Sequence, residues 1–238
     1  MKDGQIAILF DIDGTLVDSV YTHVVAWHEA FCQAGLTVPL WEVHRRVGMD
    51  GGLLVDELLA LAGVEDSDPK RPELADDMSE GHSRIYRAAA QRSLRVLPGA
   101  REVVKRAKTL GFVVVLASSA PQEELELTRG LLDIEEHVDA VTSGEDVDTA
   151  KPDATLVKIA IERAGVTPSN AIMVGDATWD AIAATKAGAR PVGVLTGGVS
   201  ACALRDAGAS LVFQDCRDLA LDLENAVQSL TSDSGGGV

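Results

Sequence analysis

Ile6-Ala7-Ile8-Leu9-Phe10-Asp11-Ile12-Asp13-Gly14-Thr15-Leu16-Val17 is the stretch that decides the fold. The apolar residues Ile6 to Phe10 run without a polar interruption and stop at a carboxylate, with a second carboxylate just beyond Ile12. A β-rich run that does not alternate with polar residues predicts a strand buried on both faces, and such strands belong to parallel sheets. Open parallel sheets bind their ligands beyond the carboxyl ends of the strands. Asp11 and Asp13 stand there, close enough to share a cation or to divide nucleophile and acid roles. Asp-Gly is also an ordinary turn signal, which would account for Asp13-Gly14. It does not account for Asp11, flush with the strand beside Phe10, where a lone carboxylate is costly to desolvate.

Working outward, 238 residues suffice for one large domain or a core with an insertion. Hydrophobic residues make up 46% and aromatics only 4%, so the core is Ala, Val, Leu and Ile, as in α/β folds. A net charge of −16 repels a phosphate backbone and argues against nucleic acid as a partner. A small anionic substrate remains compatible with that charge if local cations or a metal receive it. Cys32, Cys202 and Cys216 are far apart, odd in number and form no CxxC pair. They predict neither a disulfide framework nor a zinc site and fit a reducing, cytoplasmic setting. No apolar run approaches the ~18 residues of a membrane span, and the first strand follows the N-terminus too closely for a signal peptide. The tail 231–238, rich in Ser and Gly, is predicted to be disordered.

After Asp13 the pattern changes. Val20, Val24, Trp27 and Phe31 recur at helical spacing, as do Leu54, Leu58 and Leu61, and a third, solvated-looking helix runs from about Pro72 to Gln91. From Pro98 helices and strands alternate: helices at 100–110, 121–132, 153–164 and 181–187, and strands at 112–117, 138–141, 171–175, 191–195 and 211–213. Alternation of this kind predicts an α/β fold, a doubly wound, Rossmann-like parallel sheet. The expected organisation is an α/β core of residues 1–17 and 95–230 with an inserted helical unit at 18–94. Hinges are expected near Thr15 to Asp18 and Leu94 to Pro98.

Three further strand ends carry chemistry. Phe112 to Ala117 ends in Ser118-Ser119, whose hydroxyls could hold an anion beside a helix start or simply cap that helix. Lys151 precedes the next helix, where its charge opposes the helix macrodipole; it either faces an anion or is an exposed lysine. Ala171 to Gly175 ends in Asp176, with Asp180 one helical turn on, so a capping role and an oxygen-rich cation site are both open. Together with Asp11 and Asp13, these oxygens would suit Mg2+.

Taken in order, these motifs resemble the haloacid dehalogenase superfamily. Asp11-Ile12-Asp13-Gly14-Thr15-Leu16 resembles its first motif, Ser118 the second, Lys151 the third, and Gly175-Asp176 with Asp180 the fourth. The helical insertion resembles the cap of the phosphoglycolate phosphatase-like and β-phosphoglucomutase-like branch. The resemblance implies an Mg2+-dependent phosphatase acting on a small phosphorylated metabolite. Asp11 would be the nucleophile and Asp13 the acid and base. Ser118, Thr15 and Lys151 would bind phosphate, with Lys151 also orienting Asp11. Asp11, the Asp13 backbone carbonyl and Asp176 would hold the metal, and Asp180 would order its water.

Asp13 separates the chemistries within the superfamily, because its dehalogenases lack an acid there. The mutase cap signature has an Arg shortly after a Gly, whereas Gly48-Met49-Asp50-Gly51-Gly52-Leu53 has none. A sugar-phosphate mutase is therefore the alternative, and a non-catalytic phospho-receiver or binding module a further one. Lys70 is the one lysine of the cap; it reads as part of an exposed turn and argues against Schiff-base phosphonate hydrolysis. In this branch the cap closes over the substrate and supplies specificity. His23, Trp27, Arg45 and Arg46 are its candidate substrate contacts, although a solvated helix face is the preferred reading of each arginine and a place in the cap core is equally open to His23 and Trp27.

Overall fold

The computed structural model describes residues 4–146 and 151–232. Contacts divide the chain into two compact units, one of Met1–Asp18 with Val96–Val238 and one of Ser19–Arg95. Most of the tail expected to be disordered, residues 233–238, lies outside the described residues, as do residues 147–150 just before Lys151.

The first unit is a six-stranded sheet in the order β5-β4-β1-β6-β7-β8, every neighbouring pair parallel. Its strands are β1 (Ala7–Phe10), β4 (Val113–Ala117), β5 (Ala140–Thr142), β6 (Ala171–Gly175), β7 (Arg190–Val194) and β8 (Leu211–Phe213). The two-residue elements β2 (Val17–Asp18) and β3 (Arg95–Val96) mark the chain crossings between the units. Helices α5 (Ala100–Thr109), α6 (Gln122–Leu132), α7 (Thr155–Ala164), α8 (Thr178–Ala187), α9 (Ala201–Asp206) and α10 (Cys216–Ser232) complete it. This is the doubly wound parallel α/β fold expected from the alternation. One strand starts later than its sequence suggests, at Ala140 rather than Val138, because Glu135–His137 forms a 3-10 turn.

Every residue of β1 is fully buried, as its unbroken apolar run requires. Ala7 and Leu9 pack into a cluster with Val115, Ala117, Met173, Val157 and Ile161. Truncating Leu9 to Ala would cost about 2–5 kcal/mol. The register sets Phe10 of β1 opposite Leu116 of β4 and Val174 of β6, so the three strands end at the same level. The strand order also reverses at β1, where β4 and β5 leave on one side and β6, β7 and β8 on the other. Ligands of doubly wound folds bind at such a switch point.

The second unit consists of α1 (Val20–Gln33), α2 (Leu40–His44), α3 (Gly51–Leu61) and α4 (Arg71–Ser93). The α1 spacing is realised, with Val20, Val24, Trp27 and Phe31 all buried. Two expectations are corrected. Leu61 is exposed, and α3 instead buries Leu54, Val55, Leu58 and Leu59. The α4 helix is not solvated all round: Met78, His82, Tyr86 and Ala90, each four residues apart, form a buried stripe beneath its charged face.

Candidate active site

The site is built where β1, β4 and β6 end together. The Asp11 N–H donates to Val174 O at 2.9 Å, continuing the ladder one step past β1 and fixing the backbone that carries its carboxylate. Gly14 follows with φ 87, a left-handed conformation that strains any side-chain-bearing residue. That turn lets the Gly14 N–H reach Val17 O at 2.8 Å and brings Thr15 back toward the sheet. At β6 the small residue has another reason. A Cβ on Gly175 would overlap the Asp180 carboxylate, so glycine lets α8 pack its first turn against the strand end.

Three carboxylates converge there. Oxygens of Asp11, Asp176 and Asp180, all buried, lie within 4.8 Å of one another. The facing cation is Lys151, 1% exposed, which pairs with Asp11 and, at 2.7 Å, with Asp180. Its ammonium also donates to Ala117 O at 3.2 Å, tying it to the end of β4. Asp180 anchors itself by accepting from the Ala177 N–H at 3.0 Å. Asp176 accepts from the Thr15 hydroxyl at 2.8 Å.

Electrostatics follow from three acids facing one ammonium. Burial pushes the Asp11 carboxyl up to about 8; Lys151 opposes the rise, and Asp180 and Asp13 add to it. Burial, then Asp180 and Asp11, hold Asp176 well above the usual carboxylate range against the Thr15 hydrogen bond and Lys151. Burial disfavours the charge on Lys151, but Asp11 and Asp180 outweigh it and raise the ammonium above the ordinary lysine range. Without a cation, ionising all three acids would bury more negative charge than Lys151 offsets, and the raised carboxyls of Asp11 and Asp176 express that excess. Hard carboxylate oxygens in that state fit a divalent cation, which removes the excess that Lys151 leaves.

The residues singled out from the motifs are distributed as follows. Asp11, Lys151, Asp176 and Asp180 are brought into one cluster. Asp13 lies beside it, partly buried, and its charge acts on Asp11. Ser118 is buried at the end of β4, where its Oγ accepts from the Ala120 N–H at 3.1 Å. The neighbouring Ser119 Oγ is buried with no hydrogen-bond partner, and the helix cap once open to it is taken by Pro121. Thr15, read as a phosphate ligand, donates its hydroxyl proton to Asp176. Asp180, read as ordering metal-bound water, is an ion-pair partner of Lys151.

In the helical unit, His23 and Trp27 belong to a buried aromatic stack. The His23 ring lies 3.9 Å from Tyr86 and the Trp27 ring 3.9 Å from His82, while His23 Nδ1 and His82 Nε2 are 3.0 Å apart. Burial, then the charge of His23, holds the His82 imidazole well below the ordinary histidine range. Arg46 is engaged by Glu42 at 2.5 Å and Glu57 at 2.7 Å, and Arg45 lies over the Trp41 ring at 5.7 Å. His82 and Tyr86 were not singled out from the sequence; the four-residue spacing from Met78 to Ala90 was the available signal.

The haloacid dehalogenase-like hydrolase family model matches residues 7–188. Among curated relatives, a phosphoglycolate phosphatase of Caulobacter vibrioides is 30% identical over 216 residues, covering 89% of this chain and 88% of the relative. A phosphoglycolate phosphatase of Pseudomonas savastanoi pv. phaseolicola is 29% identical, covering 89% and 77%. The crystal structure of a hydrolase from Pseudomonas syringae superposes with a TM-score of 0.86 at 32% identity, covering 93% of this chain and 99% of that one. With the matched segment spanning the acid cluster from Asp11 to Asp180, this chain belongs to the haloacid dehalogenase-like hydrolase family.

Proposed function

We propose that this hydrolase is an Mg2+-dependent phosphatase that releases phosphate from a small phosphorylated metabolite through an aspartyl-phosphate on Asp11. The carrying observation is the Asp11 carboxylate at the end of the central strand, paired with Lys151 and surrounded by the oxygens of Asp176 and Asp180. Asp11, Asp176 and the Asp13 backbone carbonyl would hold Mg2+. When bound, it supplies positive charge that offsets repulsion between the nucleophile and an anionic phosphate.

The protein's own groups carry the steps. The Asp11 oxygen bonds to phosphorus as the bond to the leaving alkoxide breaks, and Asp13 gives that alkoxide its proton. Asp13, now a carboxylate, takes a proton from water as the water oxygen attacks phosphorus. The bond from phosphorus to Asp11 breaks, freeing phosphate and restoring both acids. Lys151 neutralises charge on the transferring group and holds Asp11 in line, and Ser118 donates to a phosphate oxygen. Selectivity among phosphate esters is assigned to the helical unit.

The names of the relatives make 2-phosphoglycolate the first substrate to test. Phosphate release would be measured across a panel of phosphorylated metabolites with Mg2+ and with EDTA, for the wild type and Asp11→Asn. The proposal expects metal-dependent turnover that Asp11→Asn abolishes. Turnover retained in that variant overturns it.

A further inference from the structure

The turn after β7 was not among the motifs read from the sequence, yet it touches the acid cluster from two directions. Leu195–Gly197 forms a single 3-10 turn, and Gly197 is buried. A Cβ built on Gly197 would stand 2.6 Å from the Cγ of Asp176 and 2.9 Å from its Cβ, overlapping the carboxylate itself. The Asp176 carboxylate therefore rests directly on the Gly197 backbone. One residue earlier, the Thr196 hydroxyl donates to Gly14 O at 2.5 Å. Gly14 is followed by Thr15, whose hydroxyl donates to the other face of Asp176 at 2.8 Å.

These contacts close a ring. From Thr196 it runs to Gly14, through the peptide to Thr15, across to Asp176, and back through Gly197 to Thr196. The ring joins the loop that follows β1 to the loops that follow β6 and β7. Two of the three carry acids of the cluster, and the third carries none. Backing from Thr15 on one oxygen and from Gly197 on the other leaves Asp176 little freedom to turn away. Cys216 adds a weaker tie, with its Sγ 3.3 Å from Thr15 O.

We infer that Thr196 and Gly197 are positioning residues that hold Asp176 and the Gly14-Thr15 turn in the geometry needed to take up a divalent cation. The inference rests on the reading of Asp176 as a metal ligand. Outer partners of metal-binding carboxylates typically cost roughly tenfold to a hundredfold in metal affinity when removed. Losing the Thr196 hydroxyl frees one side of the ring. Adding a methyl at Gly197 pushes Asp176 off its seat.

The test is calorimetric titration of Mg2+ into substrate-free wild type, Thr196→Val, Thr196→Ser, Gly197→Ala and Asp176→Asn, with circular dichroism establishing folding. Half-saturating Mg2+ in turnover, and KM at saturating Mg2+, would be measured alongside. The expected result is Mg2+ affinity lower by roughly tenfold or more in Thr196→Val and Gly197→Ala. Thr196→Ser should return close to wild type, and KM should be unchanged. If Gly197→Ala does not fold, the Val and Ser pair at position 196 decides the matter. Wild-type affinity in folded Thr196→Val overturns the inference while leaving the metal reading intact, provided Asp176→Asn abolishes binding. Binding that survives Asp176→Asn unchanged overturns both.

Discussion

Lys151→Met is the most informative single perturbation of the cluster. Methionine keeps most of the apolar stem and little cavity results, so the loss is chiefly the charge. In the wild type that charge is 1% exposed and faces Asp11 and Asp180 directly. Removing one partner of a buried ion pair costs about 3–5 kcal/mol, because the remaining charge is left without compensation. For a chain of this length each kcal/mol moves Tm by about 2–4 °C, so the expected drop is roughly 6–20 °C. The sign of the pH dependence follows from Asp11, whose carboxyl is raised from 3.8 to about 8. A carboxyl raised in the folded state favours folding while it is protonated, and that contribution is lost progressively as pH rises from 3.8 and is gone above about 8. Lys151 opposes this rise, so its removal extends the loss beyond pH 8 and makes the deficit larger near pH 9 than near pH 6. Thermal unfolding of both proteins without metal at the two pH values reads the deficit, and Mg2+ at the higher pH should recover part of it. A variant whose Tm stays within about 1 °C of wild type, or whose deficit does not change with pH, would refute the reasoning.

Thr15→Val removes the hydroxyl that donates to buried Asp176 while keeping the side-chain shape. Denaturant unfolding should read a loss of about 1–3 kcal/mol, the cost of leaving a buried acceptor short of a partner. His82 is held neutral by burial and by His23, below its ordinary value of 6.5. Falling pH therefore protonates the unfolded chain first and destabilises the fold by about 1.4 kcal/mol per pH unit below 6.5. His82→Phe keeps the ring stack and should flatten that slope in urea titrations; an unchanged slope would exclude His82 as its source.

Some of this was legible in the residues because the physics was local. An apolar run ending in an acid reads the same way at Phe10-Asp11 and at Gly175-Asp176, and both strands are buried as such runs demand. Of the contacts that assemble the site, Lys151 with Asp11 was expected only through the family resemblance, and Thr15 with Asp176 was not expected at all. Thr15 meets Asp176 across 161 positions and Lys151 meets Asp11 across 140, and both depend on register and loop course rather than on any pattern in the chain. The four-residue stripe Met78, His82, Tyr86, Ala90 was obscured by the charges beside it, so α4 read as solvated. Thr196 and Gly197 carried no signal, because a threonine and a glycine after a strand look like any turn. Arg45 and Arg46 drew attention by their charge, yet Arg46 is spent on Glu42 and Glu57.

The central claim is that Asp11 becomes phosphorylated during turnover. Rapid acid quenching of the enzyme with a phosphate-labelled substrate, followed by peptide mapping, tests it directly. The account predicts a transient label on the peptide containing Asp11, removed by hydroxylamine as an acyl phosphate should be, and absent from Asp11→Asn. Burst-free turnover with no label on that peptide, or a label that persists in Asp11→Asn, would contradict it.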